Sequence, residues 1–294
     1  MRSGSRHEFN DAWPPTEAAN GRRRTLVKII GKDGHSILSV DGWYAGAPPK
    51  GGAAHWVTGR SARELAVAWC GSEGPCVPAE IEQLLRSHPD LEGVVIERAL
   101  PEHQIRFDDL PGEPRNADLA IEARDGKGLV AITIEGKADE SFDRPVTAVL
   151  QSAVKRIAAD EKTGAVRRVE SLSEALLPQW RSDLPHLGDL RYQLLTGIAG
   201  TLAWARELRA TRAVFAIQEF VTDQTRDDKH AQNASDLNQF LERLTDGAIR
   251  NLAEGALVGP LRVPGNARIP SVPLYIGKAV RHTRVARQSE PGMS

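Results

Sequence analysis

The pattern of apolar and polar residues along the chain predicts strands and helices that share one sheet. Predicted strands are short and rich in β-branched residues, whereas predicted helices carry apolar residues three and four positions apart. The strands are predicted at residues 24–30, 36–40, 93–99, 117–123, 128–137, 212–221, 257–263 and 272–280. The helices are predicted at 61–69, from about 78, within 145–180, at about 190–208 and at 235–244. This order indicates an α/β (α+β) chain with a central mixed sheet flanked by helices.

Composition along the chain suggests one large domain after a short lead-in. The segment 44–54 is rich in Gly, Pro and Ala and is expected to interrupt regular structure. Residues 1–50 are therefore interpreted as an N-terminal lead-in with short strands, and residues 51–288 as the main domain with a helical insertion at about 145–180. Ser61 and Glu64 have the spacing of a capping box, which predicts that a helix opens at Ser61.

The most informative segment is a predicted β-hairpin. Asp125-Gly126-Lys127-Gly128 is a turn sequence between two strand-like runs. If those four residues form the loop, Arg124 pairs with Leu129, and Asp118 then falls opposite Glu135. Directly opposed residues point to the same side of a sheet, with Cβ atoms about 5 Å apart.

Alternation along the hairpin separates an apolar face from a charged one. Lys137 lies two residues after Glu135 and shares its face. One face is expected to be core because all its residues are apolar: Leu119, Ile121, Ala123, Val130, Ile132 and Ile134. The opposite face carries Asp118, Ala120, Glu122, Ala131, Thr133, Glu135 and Lys137. The sequence therefore predicts two carboxylates and an amine at one end of a sheet.

Two carboxylates and an amine in this arrangement suit the hydrolysis of a phosphodiester. Carboxylates a few ångströms apart repel each other, and a hard cation such as Mg²⁺ relieves that repulsion. The cation can orient a phosphate and lower the pKa of a water molecule. A neighbouring lysine, here Lys137, can orient the attacking water or stabilise developing charge.

The (D/E)-x-K triplet occurs at several places in the chain, and its context separates the copies. Asp125-Gly126-Lys127 lies in the predicted turn, and Asp227-Asp228-Lys229 lies in a predicted polar loop. Glu135-Gly136-Lys137 ends an apolar strand and has an acidic partner across the hairpin. The alternative interpretation is an exposed hairpin face on which Glu135 and Lys137 are merely solvated or paired.

Asn116-Ala117-Asp118 and Glu135-Gly136-Lys137, followed by Ala138-Asp139-Glu140-Ser141-Phe142, resemble the PD-(D/E)xK, restriction-endonuclease-like superfamily. The likeness is closest to poorly characterised bacterial members and covers about residues 40–280. It extends to His55-Trp56, to Gly59-Arg60-Ser61-Ala62, to Arg191-Tyr192-Gln193-Leu194-Leu195 and to the strand at 215–223. Ala117 stands where the motif name expects proline, a position that varies widely in the superfamily.

The resemblance implies an αβββαβ core and Mg²⁺-dependent cleavage of nucleic acid, with Mn²⁺ as an alternative ion. Asp118 and Glu135 would be metal ligands, the Gly136 carbonyl often adds another ligand, and Lys137 would be the catalytic lysine. DNA is the favoured partner, with RNA not excluded. Double-strand cutting by such folds commonly needs two active sites, which suggests a homodimer.

Further site residues are also suggested by the resemblance. Many such nucleases use a glutamate from the helix before the first core strand, for which Glu80, Glu82 and, less well, Glu64 are candidates. Gln193 could reach the site from the long helix, as a glutamine does in related exonucleases. Arg191 lies roughly 200° away around that helix, so both cannot face the site.

Net charge and composition neither require nor exclude a nucleic-acid partner. The net charge is −1, with 40% hydrophobic and 26% charged residues, which is ordinary for a globular protein. A surface for nucleic acid must therefore come from local clusters. The candidates are Arg22, Arg23 and Arg24 near the start and Lys278, Arg281, His282, Arg284 and Arg287 near the end, although basic termini are often only solvated.

Cysteine usage and hydropathy point to a soluble, cytoplasmic protein. Cys70 and Cys76 do not have zinc-pair spacing and are expected to be reduced thiols. No apolar signal core is present, and the weakly polar stretch at 196–205 is about half a membrane span. Two alternatives to a nuclease stay open: a catalytically silent nucleic-acid-binding module and a protein-interaction module on the same fold.

Overall fold

A computed structural model of the chain describes residues 25–283 and, ahead of them, two short backbone segments. These segments, β1 (Ala18–Ala19) and β2 (Arg22–Arg23), pair antiparallel with each other. The basic residues Arg24, Arg284 and Arg287 lie outside the described residues.

The other strands of the described chain form one mixed sheet of seven strands in the order β3-β4-β5-β6-β7-β9-β8. They are β3 (Lys28–Ile29), β4 (Val95–Ile105), β5 (Arg115–Asp125), β6 (Gly128–Lys137), β7 (Arg212–Thr222), β8 (Leu257–Leu261) and β9 (Leu274–Thr283). Strands β4, β5 and β6 form an antiparallel meander. Strand β7 runs parallel to β6, and β9 runs parallel to β7. The predicted α/β class with a central mixed sheet is confirmed.

Helices cover both faces of this sheet. Residues of α1 (Val40–Gly46), α2 (Ser61–Cys70) and α3 (Ala79–Arg86) join the hydrophobic cluster on one face. Residues of α4 (Val146–Ala158), α5 (Ala165–Leu176), α6 (Tyr192–Leu208) and α7 (Asp227–Leu244) join the cluster on the other. Short 3₁₀ helices lie at Gly52–His55 and Leu187–Asp189. Among the residues described, no helix has the length and apolar character needed to cross a membrane.

The hairpin formed by β5 and β6 lies in the middle of the sheet, with both of its faces buried. Its predicted apolar face packs entirely into the cluster beneath α1–α3. On the opposite face, α6 covers β6, and the buried hydroxyls of Thr133 and Thr201 hydrogen-bond across the contact. The interpretation of this face as exposed is wrong, because Glu135 is 1% and Lys137 4% exposed. Any charge placed there must find a partner inside the protein.

The strand predicted at 36–40 is wrong. Ser36 makes a single bridge to Ile30, and helix α1 begins at Val40. The Ser39 hydroxyl accepts the Gly42 N–H at 3.1 Å, and Asp41 lies in the first turn. A serine cap and an early carboxylate both favour a helix start, and here they outweigh the strand propensity of the preceding residues. The segment 44–54 is therefore not irregular throughout, because α1 extends to Gly46 and a 3₁₀ helix begins at Gly52.

The helix predicted at 61–69 is confirmed, but its capping prediction is wrong. Ser61 is the first helical residue, and Arg60 occupies the N-cap position without a side-chain cap. Glu64 turns back instead, and its Oε1 accepts the Gly59 N–H at 2.8 Å. The glutamate therefore holds the loop before α2 and is buried there.

Candidate active site

The tight turn of the hairpin fixes the register of β5 and β6. Arg124 pairs with Leu129, as predicted, and Asp125 Oδ1 accepts the Lys127 N–H at 2.8 Å inside the turn. Backbone pairing continues as far as Leu119 and Ile134 and then ends. Asp118 and Glu135 are therefore the first residues beyond the paired segment.

The Asp118 side chain crosses from β5 to β6 at this point. Its Oδ2 accepts the backbone N–H of Gly136 at 2.8 Å. The carboxylate is thereby fixed at the centre of the Glu135-Gly136-Lys137 run. The structure thus brings these predicted site residues together, although the side chain of Asp118 bonds to the backbone of Gly136 rather than continuing the strand ladder.

Glu135 is the most heavily contacted carboxylate of the group. Lys137 Nζ lies 3.0 Å from Glu135 Oε1, and the Arg115 guanidinium forms an ion pair with Oε2. Gln193 donates a hydrogen bond to Oε1 from its side-chain amide. The Lys137 ammonium also lies 5.2 Å from the centre of the Phe142 ring. These contacts compensate the burial of Glu135 and hold Lys137 in one place.

The pKa values of the Asp118 and Glu135 carboxylates shift in opposite directions. Burial raises the pKa of Asp118 well above its usual value, and the nearby charge of Glu135 raises it further despite the opposing effect of Lys137. Burial also acts to raise the pKa of Glu135, but Arg115 and Lys137 outweigh it, and the net pKa is lowered. Pairs of acids whose environments separate their pKa values are typical of functional sites.

Of the two candidates at the start of α6, Gln193 is the one that reaches the site. Besides donating to Glu135, it accepts the Asp143 N–H at 3.1 Å. Arg191 points elsewhere, with its Nε 2.8 Å from Asp236 Oδ2. Gln193 therefore ties the end of β6 to the loop before α4.

The helix glutamates considered from the sequence do not contact Asp118 or Glu135. Glu80 binds Arg281 and accepts a hydrogen bond from Gln218 at 2.9 Å. Glu82 lies 3.5 Å from Arg86 on its own helix. Glu64 holds the loop before α2, as described above.

Sequence reasoning missed Glu102 and Arg115. Glu102 lies beside Asp118 in the sheet, between the paired positions Pro101–Leu119 and His103–Ala117. Burial raises the pKa of Glu102, and the Asn116 amide donates a hydrogen bond to it. The predicted strand at 93–99 ended before Glu102, whereas β4 continues to Ile105 through a residue with φ of 50°.

The three members of the C-terminal basic cluster that the structure describes are each paired with an acidic residue. Lys278 Nζ lies 2.6 Å from Glu219 Oε2, and Glu219 Oε1 lies 3.0 Å from His230 Nδ1. Glu219 is the register neighbour of Lys137, so this cluster adjoins the site. Arg281 pairs with Glu80, as noted above, and His282 with Glu254.

The residues that could hold a divalent cation are Asp118 and Glu135, with the Gly136 carbonyl between them in sequence. Within residues 25–283, no group of three or more His, Cys, Asp or Glu side chains is already arranged as a metal site. The donor set nevertheless fits a hard cation, because carboxylate and carbonyl oxygens are its preferred ligands. Besides burial, the charges of Glu135 and Glu102 raise the pKa of Asp118. A cation here would relieve the same repulsion that raises the pKa of Asp118.

Comparison with known proteins gives a family without an assigned function. A family model for a domain of unknown function, DUF6946, matches residues 36–283. The chain belongs to this family. The matched range contains every residue of the candidate site. No curated protein and no solved structure matches the chain.

Proposed function

We propose that the chain is a divalent-metal-dependent nuclease that hydrolyses phosphodiester bonds in DNA. The observation that supports this most strongly is the grouping of Asp118, Glu135 and Lys137 where the pairing of β5 and β6 ends. Their arrangement corresponds to the motif of the PD-(D/E)xK superfamily, which the sequence resembles. Within that proposal, the three-strand meander and β7 belong to an αβββαβ core.

Asp118 and Glu135 would both coordinate the metal ion. A bound Mg²⁺ or Mn²⁺ would supply charge to polarise the phosphate and acidify a water molecule. Asp118 and Glu135 would bind it, together with the Gly136 carbonyl. Since the pKa of Asp118 is raised, its ionisation and ion binding are coupled, and ion binding strengthens as the pH rises.

Lys137 would act on the water or on the phosphate oxygens. Lys137 is 4% exposed, and its Nζ lies 3.0 Å from Glu135 Oε1, so the ammonium needs little reorganisation. A fixed positive charge in a partly dry site stabilises developing negative charge more than a mobile one in water. Gln193 and Arg115 hold the other side of Glu135 and act as positioning residues.

A cleft beside the site offers space for the substrate. It has a volume of about 760 Å³ and is lined by Glu102, Arg115, Asn116 and Gln193 together with Lys32 and Lys50. Cationic side chains at the edge of a carboxylate site favour a phosphate backbone. Arg115 and Gln193, which line the cleft, also contact Glu135, so a nucleic-acid strand in the cleft would lie next to the proposed site. Of the two lysines, Lys50 is paired with Glu113 at the cleft edge.

A cleavage assay with matched lysine variants tests the proposal. Plasmid DNA and single-stranded DNA are incubated with the purified chain and Mg²⁺ or Mn²⁺, with EDTA as the metal-free control. Asp118→Asn and Lys137→Met are expected to lower the rate at least 100-fold, the scale on which single charge-stabilising groups act. Lys229→Met is the control, because Asp227-Asp228-Lys229 is the same triplet placed at the start of α7.

The outcomes separate the nuclease from the alternatives. Metal-dependent cutting that is lost in Asp118→Asn and Lys137→Met and kept in Lys229→Met supports the proposal. DNA binding without cutting favours a catalytically silent binding module. Neither binding nor cutting favours a protein-interaction module. Cutting that survives both site substitutions contradicts the proposal, and sedimentation of the active species tests whether it is a homodimer.

A further inference from the structure

Two partners of Glu135 separate this carboxylate from the neighbouring cleft. Arg115 and Gln193 both contact Glu135 and both line the cleft, whereas Glu135 does not line it and is 1% exposed. Lys137 contacts Glu135 from the same strand and does not line the cleft either. A cation that enters from the cleft therefore meets Arg115 and Gln193 before it reaches the carboxylate.

Of these two residues, Gln193 is held by more contacts. Its side-chain amide donates to Glu135, and its Oε1 accepts the Asp143 N–H at 3.1 Å. The Arg115 guanidinium has five N–H donors, and in the part of the chain that the structure describes its hydrogen bond goes to Glu135. Rotation of the Gln193 side chain would therefore break two hydrogen bonds, whereas rotation of the Arg115 side chain would break one.

The backbone and stem of Arg115 are fixed, while its guanidinium lies at the cleft wall. Arg115 is the first residue of β5 and pairs with Ile105 on β4. Its Cγ packs against α6 at Gly200, where an added Cβ would lie 3.1 Å from it. The Arg115 side chain is 13% exposed. Only a change of side-chain rotamer is therefore needed for the guanidinium to leave Glu135 for the cleft.

The charge of Arg115 opposes a cation at Glu135. A guanidinium keeps its positive charge at neutral pH, and like charges a few ångströms apart repel more strongly away from water. Lys137 carries the same charge, but it is 4% exposed and lies 5.2 Å from the centre of the Phe142 ring, away from the cleft. A divalent ion on Glu135 would therefore weaken the ion pair with Arg115 and favour an arrangement in which Arg115 faces the cleft.

The cleft offers little net positive charge while Arg115 is paired with Glu135. Arg168, which also lines the cleft, is paired with Asp108, and Lys50 is paired with Glu113. The cleft lining as a whole has four cationic side chains and three carboxylates: Lys32, Lys50, Arg115, Arg168, Glu102, Glu113 and Asp143. Unpaired cations are what attracts a phosphate backbone. Release of Arg115 from Glu135 would add one such cation beside the site.

We propose that Arg115 exchanges Glu135 for a phosphate group of the DNA when a divalent ion binds at Glu135. This inference rests on the proposed function and adds a coupling between ion and substrate. Arginine forms strong charge-assisted hydrogen bonds with phosphate as well as with carboxylate. Ion and DNA bind cooperatively, because both favour the state in which Arg115 faces the cleft.

Titration of the full chain with Mn²⁺, followed by electron paramagnetic resonance, tests the competition at Glu135. Arg115→Met and Arg115→Gln remove the positive charge and are expected to bind Mn²⁺ at least threefold more tightly than the wild type. A purely structural role of Arg115 would give weaker binding instead. Arg98→Met is the matched control with unchanged affinity, since Arg98 pairs with Glu122 and does not line the cleft.

Binding of a fluorescently labelled DNA oligonucleotide at low ionic strength tests the contact with phosphate. Anisotropy is measured in EDTA and in Ca²⁺, a hard cation that also takes oxygen ligands. The wild type and Arg98→Met are expected to bind the DNA at least tenfold more tightly in Ca²⁺ than in EDTA. Arg115→Met and Arg115→Gln are expected to bind it at least fivefold more weakly than the wild type in Ca²⁺, and equally in EDTA.

The outcomes separate this inference from the proposed function. If the wild type binds no Mn²⁺ that Asp118→Asn removes, both fail. If the wild type binds such an ion, the exchange alone is overturned when neither Arg115 variant binds Mn²⁺ more tightly, or when both bind DNA in Ca²⁺ as tightly as the wild type. Should Arg115→Met not fold, Arg115→Gln decides the question, because glutamine keeps a hydrogen-bond donor for Glu135.

Discussion

The Asp118 carboxylate accepts the backbone N–H of Gly136 at 2.8 Å, just beyond the last paired residues of β5 and β6. The Asp118 side chain thus makes the hydrogen bond to β6 at the point where the backbone pairing of β5 with β6 ends. The contact fixes one carboxylate against the run that supplies Glu135 and Lys137. Like charges are crowded at this point, and we expect this crowding to affect stability and, if the proposed function holds, metal affinity and catalysis.

Removal of the Asp118 charge is expected to stabilise the metal-free protein above pH 7. The unfolded chain ionises Asp118 at its ordinary pKa, whereas the folded chain holds the proton to higher pH. Stability contributed by this group is therefore present at low pH and is lost as the pH rises toward the raised folded value. Asp118→Asn keeps an acceptor for the Gly136 N–H and removes this loss. We expect its melting temperature at pH 8 in EDTA to exceed that of the wild type by about 2–4 °C, or about 1 kcal/mol.

The comparison at acidic pH is the internal control for Asp118→Asn. At pH 4, where the wild-type carboxyl is protonated in the folded state, the two proteins are expected to have similar melting temperatures. Asp227→Asn changes an exposed carboxylate and is expected to show no such pH-dependent gain. A variant that is less stable than the wild type at pH 8 would show that Asp118 is not electrostatically strained.

Gln193→Met tests whether Gln193 positions Glu135 for metal binding. Met has similar volume but cannot donate to Glu135 or accept from Asp143. Loss of such a supporting contact typically lowers metal affinity 10–100-fold. We expect the Mg²⁺ concentration at half-maximal cleavage to rise by about that factor. The rate at saturating Mg²⁺ should be largely restored, which a general loss of folding would not produce.

Gln239→Met is the matched control for this experiment. Gln239 lies on α7 and donates only to Ser235, at 3.3 Å. Its substitution is expected to leave the Mg²⁺ dependence unchanged. An equal rise in the Mg²⁺ concentration at half-maximal cleavage in both variants would show that Gln193 does not position Glu135 for metal binding.

Arg212 is expected to be a major contributor to the stability of the hairpin. Its guanidinium binds Asp125 in the turn, with Nη1 2.9 Å from Asp125 Oδ2, and also donates to the Asp90 carbonyl at 2.6 Å. Both side chains of the pair are less than 10% exposed. Arg212→Met leaves the Asp125 carboxylate with only the Lys127 N–H as a partner and is expected to lower the free energy of unfolding by about 2 kcal/mol at pH 7. Urea unfolding measures this loss.

The stability lost in Arg212→Met is expected to depend on pH. The hydrogen bond from Arg212 holds the pKa of Asp125 below its usual value. The stability that the pair contributes is therefore present above about pH 4 and is lost as the pH falls through the lower folded pKa. The difference in the free energy of unfolding between Arg212→Met and the wild type should therefore decrease as the pH falls below about 4. Arg124→Met, which removes a more exposed pair with Glu97, is expected to cost less than about 1 kcal/mol.

The hairpin could be predicted from the sequence because the residues that determine its turn and register are close together in the chain. The turn residues set the pairing of Arg124 with Leu129, and alternation then placed the apolar face correctly. Helical geometry predicted only that Arg191 and Gln193 cannot both face the site, and the resemblance favoured Gln193, which does contact Glu135.

Contacts between elements far apart in the sequence could not be predicted in this way. Glu102 lies beside Asp118 because β4 continues through Glu102 itself, whose positive φ is not indicated by its residue type. Arg115 and Glu135 meet because β5 extends two residues beyond its predicted start. The alternative of an exposed hairpin face could not be excluded from the sequence, because its cover by α6 and its ion pairs involve residues far away in the chain.

Binding of Mn²⁺ to the purified chain, followed by electron paramagnetic resonance, tests the central claim most directly. We expect the wild type to bind one ion per chain at the candidate site, with affinity that rises with pH. Asp118→Asn and Glu135→Gln are expected to lower the affinity at least tenfold, whereas Asp227→Asn is expected to leave it unchanged. Equal Mn²⁺ binding by the wild type and both site variants would contradict the account.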